Sequence, residues 1–224
     1  MIFRSGPSKV SPITMGPTTN EQVLTPIDLA GHEERRAEPA TAACVRRARA
    51  GDMAAFAELV ERHERMVLRT ALRLVGAIDR AQDAAQETFL RMHRYLGRFD
   101  ESRELGPWLY RTVINVCHDL ARRAPPARQI SIEELREAEH PATPDGSDAI
   151  DALDRARQRR LVQTALMTLP DKERAAIVLR DIEGRPTSEV ARILGSSEGT
   201  VRSQISTARV KIKRFIEQKQ ESRR

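Results

Sequence analysis

Apolar side chains recur at three- and four-residue intervals from Phe56 through Leu59, Val60, Val67, Ala71 and Leu74, the spacing that lines up one side of an α-helix. Gly76 is suited to stop that helix, and Asp79 opens a second whose stripe is Ala81, Ala85, Phe89, Met92 and Leu96. Asp83, Gln86, Glu87 and Arg91 fall on its other faces. The run from Phe99 to Pro107 is charged and carries Gly106, so it reads as a loop leading to a third helix that starts at Trp108. In that helix Leu109, Val113, Val116 and Leu120 point inward, while Arg111, Asn115, His118 and Arg122 share the opposite face.

The helical period then lapses. Pro125, Pro126, Pro141, Pro144 and Gly146 mark residues 124–149 as a linker. From Ala149 the period returns in Leu161, Ala165 and Leu166, breaks at Pro170, and resumes in Ala175, Ala176, Val178 and Leu179 up to Gly184. The segment Thr187 to Arg214 then reads as helix, turn, helix. Val190 and Leu194 form the stripe of the first helix, and Val201, Ile205, Ala208 and Ile212 form that of the second. Gly195 ends the first because glycine enters the left-handed conformation freely, and Ser196 and Ser197 can accept from the amides that open the next. The predicted fold is therefore all-α. Two small helical domains, 45–123 and 150–224, are joined by a flexible linker, and the second contains a helix-turn-helix. Residues 1–44 hold five prolines and no sustained apolar period, so they read as a disordered extension.

Charge sharpens this division, because its sign alternates along the chain. Residues 45–123 carry 15 basic and 11 acidic side chains, 124–154 carry 2 and 8, and 155–224 carry 17 and 8. Two basic blocks on either side of an acidic connector suit a protein that touches nucleic acid at two places. On the last helix the face opposite the stripe carries Ser203, Ser206, Thr207 and Val210, flanked by Arg202, Arg209 and Lys213. Short polar side chains let a helix approach base edges in a major groove, and arginine reaches guanine or phosphate; a merely solvated basic face is the plainer alternative. On the third helix, Trp108 beside Arg111 and Asn115 offers a flat apolar partner and cationic and amide groups to unstacked bases. A packed Trp108 and a solvated Asn115 would look the same in sequence.

Enzyme chemistry finds no foothold. The five histidines are scattered without ligand spacing, no glycine-rich phosphate cradle is present, and no nucleophile and base can be paired. Cys44 and Cys117 are too few for a disulfide framework, so a reduced, cytoplasmic setting is expected, with neither metal nor cofactor. No apolar run approaches the length of a membrane span.

The order of parts resembles the extracytoplasmic-function, or group 4, sigma factors of bacterial RNA polymerase. DRAQDAAQETFLRMHRYLGRFD followed by GPWLYRTVINVCHDLARR is similar to that family's second conserved region, and LPDKERAAIVLRDIEG with TSEVARILGSSEGTVRSQISTARVKI to its fourth. The resemblance implies roles position by position. Asp83, Gln86 and Glu87 would contact core polymerase, with Phe89 as support. Trp108, Arg111 and Asn115, with Arg122 and Arg123 near the backbone, would bind and melt the −10 element. Arg202, Ser203, Ser206, Thr207 and Arg209 would read the −35 element. It also implies promoter DNA and core RNA polymerase as partners, an inhibitory anti-sigma factor, and no catalysis by this chain. The alternative is a stand-alone helix-turn-helix regulator of duplex DNA.

Overall fold

The computed structural model describes residues 39–123 and 149–221. The expected linker and nearly all of the expected N-terminal extension lie outside them. Among the described residues every regular element is helical. A front group comprises α1 (Pro39–Arg49), α2 (Met53–Val75), α3 (Ile78–Tyr95) and α4 (Leu105–Arg123). A rear group comprises α5 (Ala149–Met167), α6 (Asp171–Ile177) with a π-helical turn over Val178–Ile182, α7 (Thr187–Leu194) and α8 (Glu198–Glu221).

Local chemistry accounts for most of the boundaries. Asp52 caps α2, its carboxylate accepting from the amides of Ala54 and Ala55 at 3.0 Å each, which satisfies two donors that have no partner within the helix. Those bonds and the Arg47 guanidinium hold the Asp52 carboxyl below the usual carboxylate range. Gly76 ends α2 with φ 74°, and Gly195 ends α7 with φ 61°, as glycine at a left-handed C-cap should. Two starts differ from the sequence expectation. Helix α1 begins at Pro39, inside the segment read as disordered, because Cys44 and Val45 bury against the front core. Helix α4 begins at Leu105 rather than Trp108: Pro107 sits in the first turn, where no amide partner is needed, and Leu105 is buried.

The front core gathers Leu59, Val67, Leu72, Met92, Leu105, Leu109 and Val113, all fully buried. Each such side chain contributes roughly 1.5–3 kcal/mol by leaving water. In the rear group, Val201, Ile205 and Ala208 of α8 close against Val190 and Ile193 of α7 and Leu179 of the π turn. The predicted stripes pack, with one shift on α7, where Ile193 is buried and the expected Leu194 is half-buried against the core.

The described parts of the two groups share a seam. The last carbonyls of α2 take donors from the rear group: Gln163 Nε2 donates to the oxygens of Leu72, which also accepts the Gly76 amide, and Arg73, at 3.1 and 3.3 Å, and Arg174 Nη1 donates to that of Leu74 at 2.8 Å. Arg174 also donates to the Leu166 and Leu169 carbonyls, so one guanidinium ties the end of α2 to the α5–α6 corner. Met167 packs so closely over Gly76 that a β-carbon there would collide with its sulfur. Helix α4 lies against α7 along the same seam.

Candidate nucleic-acid interface

On α8 the stripe faces inward and the polar face is open. Ser203, Ser206 and Thr207 are exposed, and Val210 among them is 58% exposed. Ser197 sets the start of this helix: its hydroxyl accepts from the Thr200 amide at 3.1 Å. The two arginines on the flank are held rather than loose. Arg202 pairs with Glu198 one turn earlier, and Arg209 forks onto both oxygens of Asp181 in the π turn, at 2.8 and 2.7 Å. Both pairs are exposed and worth little in high dielectric, so phosphate or a base edge can compete for either guanidinium.

On α4 the five predicted residues divide. Arg122 and Arg123 are exposed at its end, Arg122 bonded to Asp119 at 2.8 Å. Trp108 is half-buried, edge-on to Phe99 with ring centroids 6.1 Å apart. Arg111 and Asn115 are also half-buried, a departure from the open surface read for this face. A β-carbon placed on Gly195, at the end of α7, would come to 3.8 Å from Arg111, and burial draws that guanidinium below its usual pKa. His118, one turn beyond Asn115, lies in the fields of Asp171 and Arg174 of α6, and its pKa is lowered chiefly by burial. The face is thus partly roofed by the rear group, though not closed on every side.

On α3, Asp83 and Gln86 are exposed and Glu87 accepts from Arg91 Nε at 2.8 Å. Two features of these surfaces escape the sequence reading. Leu90, 54% exposed, continues the row through Asp83, Gln86 and Glu87; extending that row by one helical step would have found it. Tyr110 is 3% exposed, its hydroxyl donating to Glu183 at 2.9 Å, and no periodicity announces a partner 73 residues away. Among the described residues no three His, Cys, Asp or Glu side chains gather as a metal site, and no helix is long and apolar enough to cross a membrane.

Comparison with known proteins decides what these surfaces belong to. Residues 59–125 match Sigma-70 region 2, and residues 159–212 match Sigma-70, region 4. The ECF RNA polymerase sigma factor SigM of Mycobacterium tuberculosis is 36% identical over 170 residues, covering 75% of this chain and 80% of SigM. The chain belongs to the ECF RNA polymerase sigma factors. Among solved structures, CnrH in complex with the cytosolic domain of CnrY matches with a TM-score of 0.58 and 25% identity over 80% of this chain and 97% of CnrH. The sigma factor RpoE from Bartonella quintana, solved with the anti-sigma factor NepR, shares the fold at a TM-score of 0.56 and 21% identity over 72% of this chain and 96% of RpoE. In this sigma factor, region 2 therefore spans α2 to α4 and region 4 spans α5 to α8, and the all-α expectation with its helix-turn-helix holds.

Proposed function

We propose that this sigma factor works in the cytoplasm as a non-enzymatic specificity subunit, carrying core RNA polymerase to promoters and opening them while the polymerase makes RNA. The outward face of α8, with Arg202, Ser203, Ser206, Thr207 and Arg209, reads the −35 element as duplex. Trp108, Arg111 and Asn115 of α4 take an unstacked base of the −10 element, with Arg122 and Arg123 on the backbone. Asp83, Gln86 and Glu87 of α3 dock on core polymerase. The observation that supports this reading is that two basic helix faces occur within the matched regions, that of α8 exposed and carrying short polar side chains, that of α4 half-buried with an aromatic edge beside an amide. Phosphate contacts supply affinity and a few side chains supply discrimination. Capture of a base offsets the few kcal/mol of unpairing, so no nucleotide hydrolysis is required. An anti-sigma factor fits the same picture, as the RpoE complex shows for that protein.

The test is run-off transcription by purified chain plus core polymerase on a genomic promoter library. Discrete start sites support the reading. Tight operator binding by the chain alone, with no gain in initiation, would favour a stand-alone regulator instead.

A further inference from the structure

The π turn after α6 presents two carboxylates, Asp181 within it and Glu183 at its end, to different neighbours. The amide of Glu183 reaches back to the Val178 carbonyl and that of Arg185 to the Leu179 carbonyl, each at 2.9 Å, which fixes the backbone of the turn. The Glu183 carboxylate accepts from Arg69 Nε and Nη2 at 3.2 and 3.0 Å and from the Tyr110 hydroxyl at 2.9 Å. Arg185 lies beside them, 5.5 Å from the centre of the Tyr110 ring. The turn is thus bolted on that side. Asp181 serves α8 instead, accepting from Arg209 Nε at 2.8 Å and Nη2 at 2.7 Å, and the pair sits on the rim of a groove lined by Ile177, Ile212 and Ile216.

The atoms that Asp181 occupies decide what Arg209 can still do. A guanidinium carries its N–H donors in a planar fork with more than one two-donor edge. Asp181 takes the Nε–Nη2 edge, which leaves the Nη1–Nη2 edge for a second pair of acceptors. A duplex can therefore bond Arg209 without evicting Asp181. Because the retained carboxylate repels phosphate, guanine O6 and N7 suit that edge better than the backbone does. Exposure is divided in the same sense: the Arg209 side chain is 60% exposed and that of Asp181 30%, so the anchor is the more enclosed partner. The other cations of α8 are held differently. Arg202 is tied to Glu198 within the same helix, and Lys211, on the opposite flank, gives its ammonium to both Glu173 oxygens at 2.8 and 2.9 Å, a point charge with no second edge to offer.

We propose that Asp181 is a positioning residue for the −35 contact: it fixes Arg209 by one edge of the guanidinium and presents the other edge to a base. The inference rests on the assignment of α8 to the −35 element and deepens it, since Asp181 acts through Arg209 and touches no DNA itself. Its physical content is preorganisation. A guanidinium held in one plane before binding loses less freedom on meeting its base. It also follows a misplaced acceptor less readily, so the gain appears as discrimination between bases rather than as affinity for any duplex.

The test uses holoenzyme assembled from the full chain and core polymerase, transcribing a pooled promoter library with a randomised −35 element, the transcripts being counted by sequencing. Arg209→Ala should flatten the base preference at one −35 position by about tenfold or more, the discrimination of a bidentate arginine–guanine pair. Asp181→Asn keeps the shape but offers one neutral acceptor oxygen. It should flatten the preference at that same position by about threefold to tenfold and leave the other positions as they are. Asp181→Glu, which restores a carboxylate, should recover part of the loss. In an Arg209→Ala background, Asp181→Asn should change nothing further, because its effect passes through the missing guanidinium. Glu173→Gln, which removes one negative charge from the other flank, should leave the profile unchanged. The positioning role is overturned by a preserved preference in Asp181→Asn or in Arg209→Ala, by a loss spread evenly over the element, or by a further loss on top of Arg209→Ala. A wild-type chain with no −35 preference at any position would instead sink the assignment of α8 itself, so the two failures are told apart.

Discussion

The two residues on which the proposed promoter reading turns most sharply sit in different settings. Arg202 is 66% exposed and tied to Glu198. Arg202→Ala should weaken recognition of one upstream base pair by about 1–3 kcal/mol if the guanidinium reads that base, measured as affinity across single-position −35 variants. Asn115 is half-buried on α4 beside the roofed Arg111. Asn115→Ala should impair strand opening in a permanganate assay while leaving the upstream footprint nearly intact; equal losses in both would remove Asn115 from strand capture. The sequence exposed both residues by helical spacing, since a face opposite an apolar stripe is readable from one helix alone. It was silent on Glu183, Arg69, Tyr110 and Arg185, because their meaning arises only when residues far apart in the chain are brought together. Gln163 and Arg174 were hidden for the same reason: a side chain that donates to carbonyls of another helix leaves no periodic trace.

Among the helices, packing modified what spacing predicted. Helix α4 illustrates this, for Leu109, Val113 and Val116 are buried as expected, but Tyr110, Ile114 and Cys117 are buried too. One stripe serves α2 and α3, and the second side serves region 4, so a helix read as half-wet is enclosed on more than one flank. Desolvation pushes the Cys117 thiol up to about 12, which leaves it protonated and unreactive at neutral pH. Turn glycines, by contrast, were legible from local chemistry. Gly76 carries two constraints, a positive φ and the close approach of Met167. Gly76→Ala should therefore cost more than the roughly 1 kcal/mol of a strained cap, whereas Gly195→Ala should cost about that much, both by denaturant unfolding. Restoring space with Met167→Ala should recover only the steric share of the Gly76 loss.

For the molecule as a whole, charge and protonation set the working range. The 17 basic side chains of residues 155–224 predict that DNA binding falls steeply with salt, the log–log slope being about 0.9 per phosphate neutralised. A titration of a −35 duplex between low and moderate salt checks this. Acid should weaken the fold. His63 and His118 are held below the ordinary histidine value of 6.5 by burial, so the unfolded chain takes up their protons first. The stability tied to their neutral forms is complete above that value and is lost as pH falls through the lower folded values. Asp52, depressed by its capping bonds, adds a further loss in the same direction at more acid pH. Melting temperature should accordingly drop between about pH 7 and 5, and His118→Gln should flatten the drop.

The carbonyls at the end of α2 carry a consequence for synthesis. Leu74 waits for a donor 100 residues further along the chain. At a ribosomal pace of about 5–20 residues per second, roughly 5–20 seconds pass before Arg174 emerges. For that interval the nascent front helices must rest on their own apolar core, with water standing in at the unfinished end.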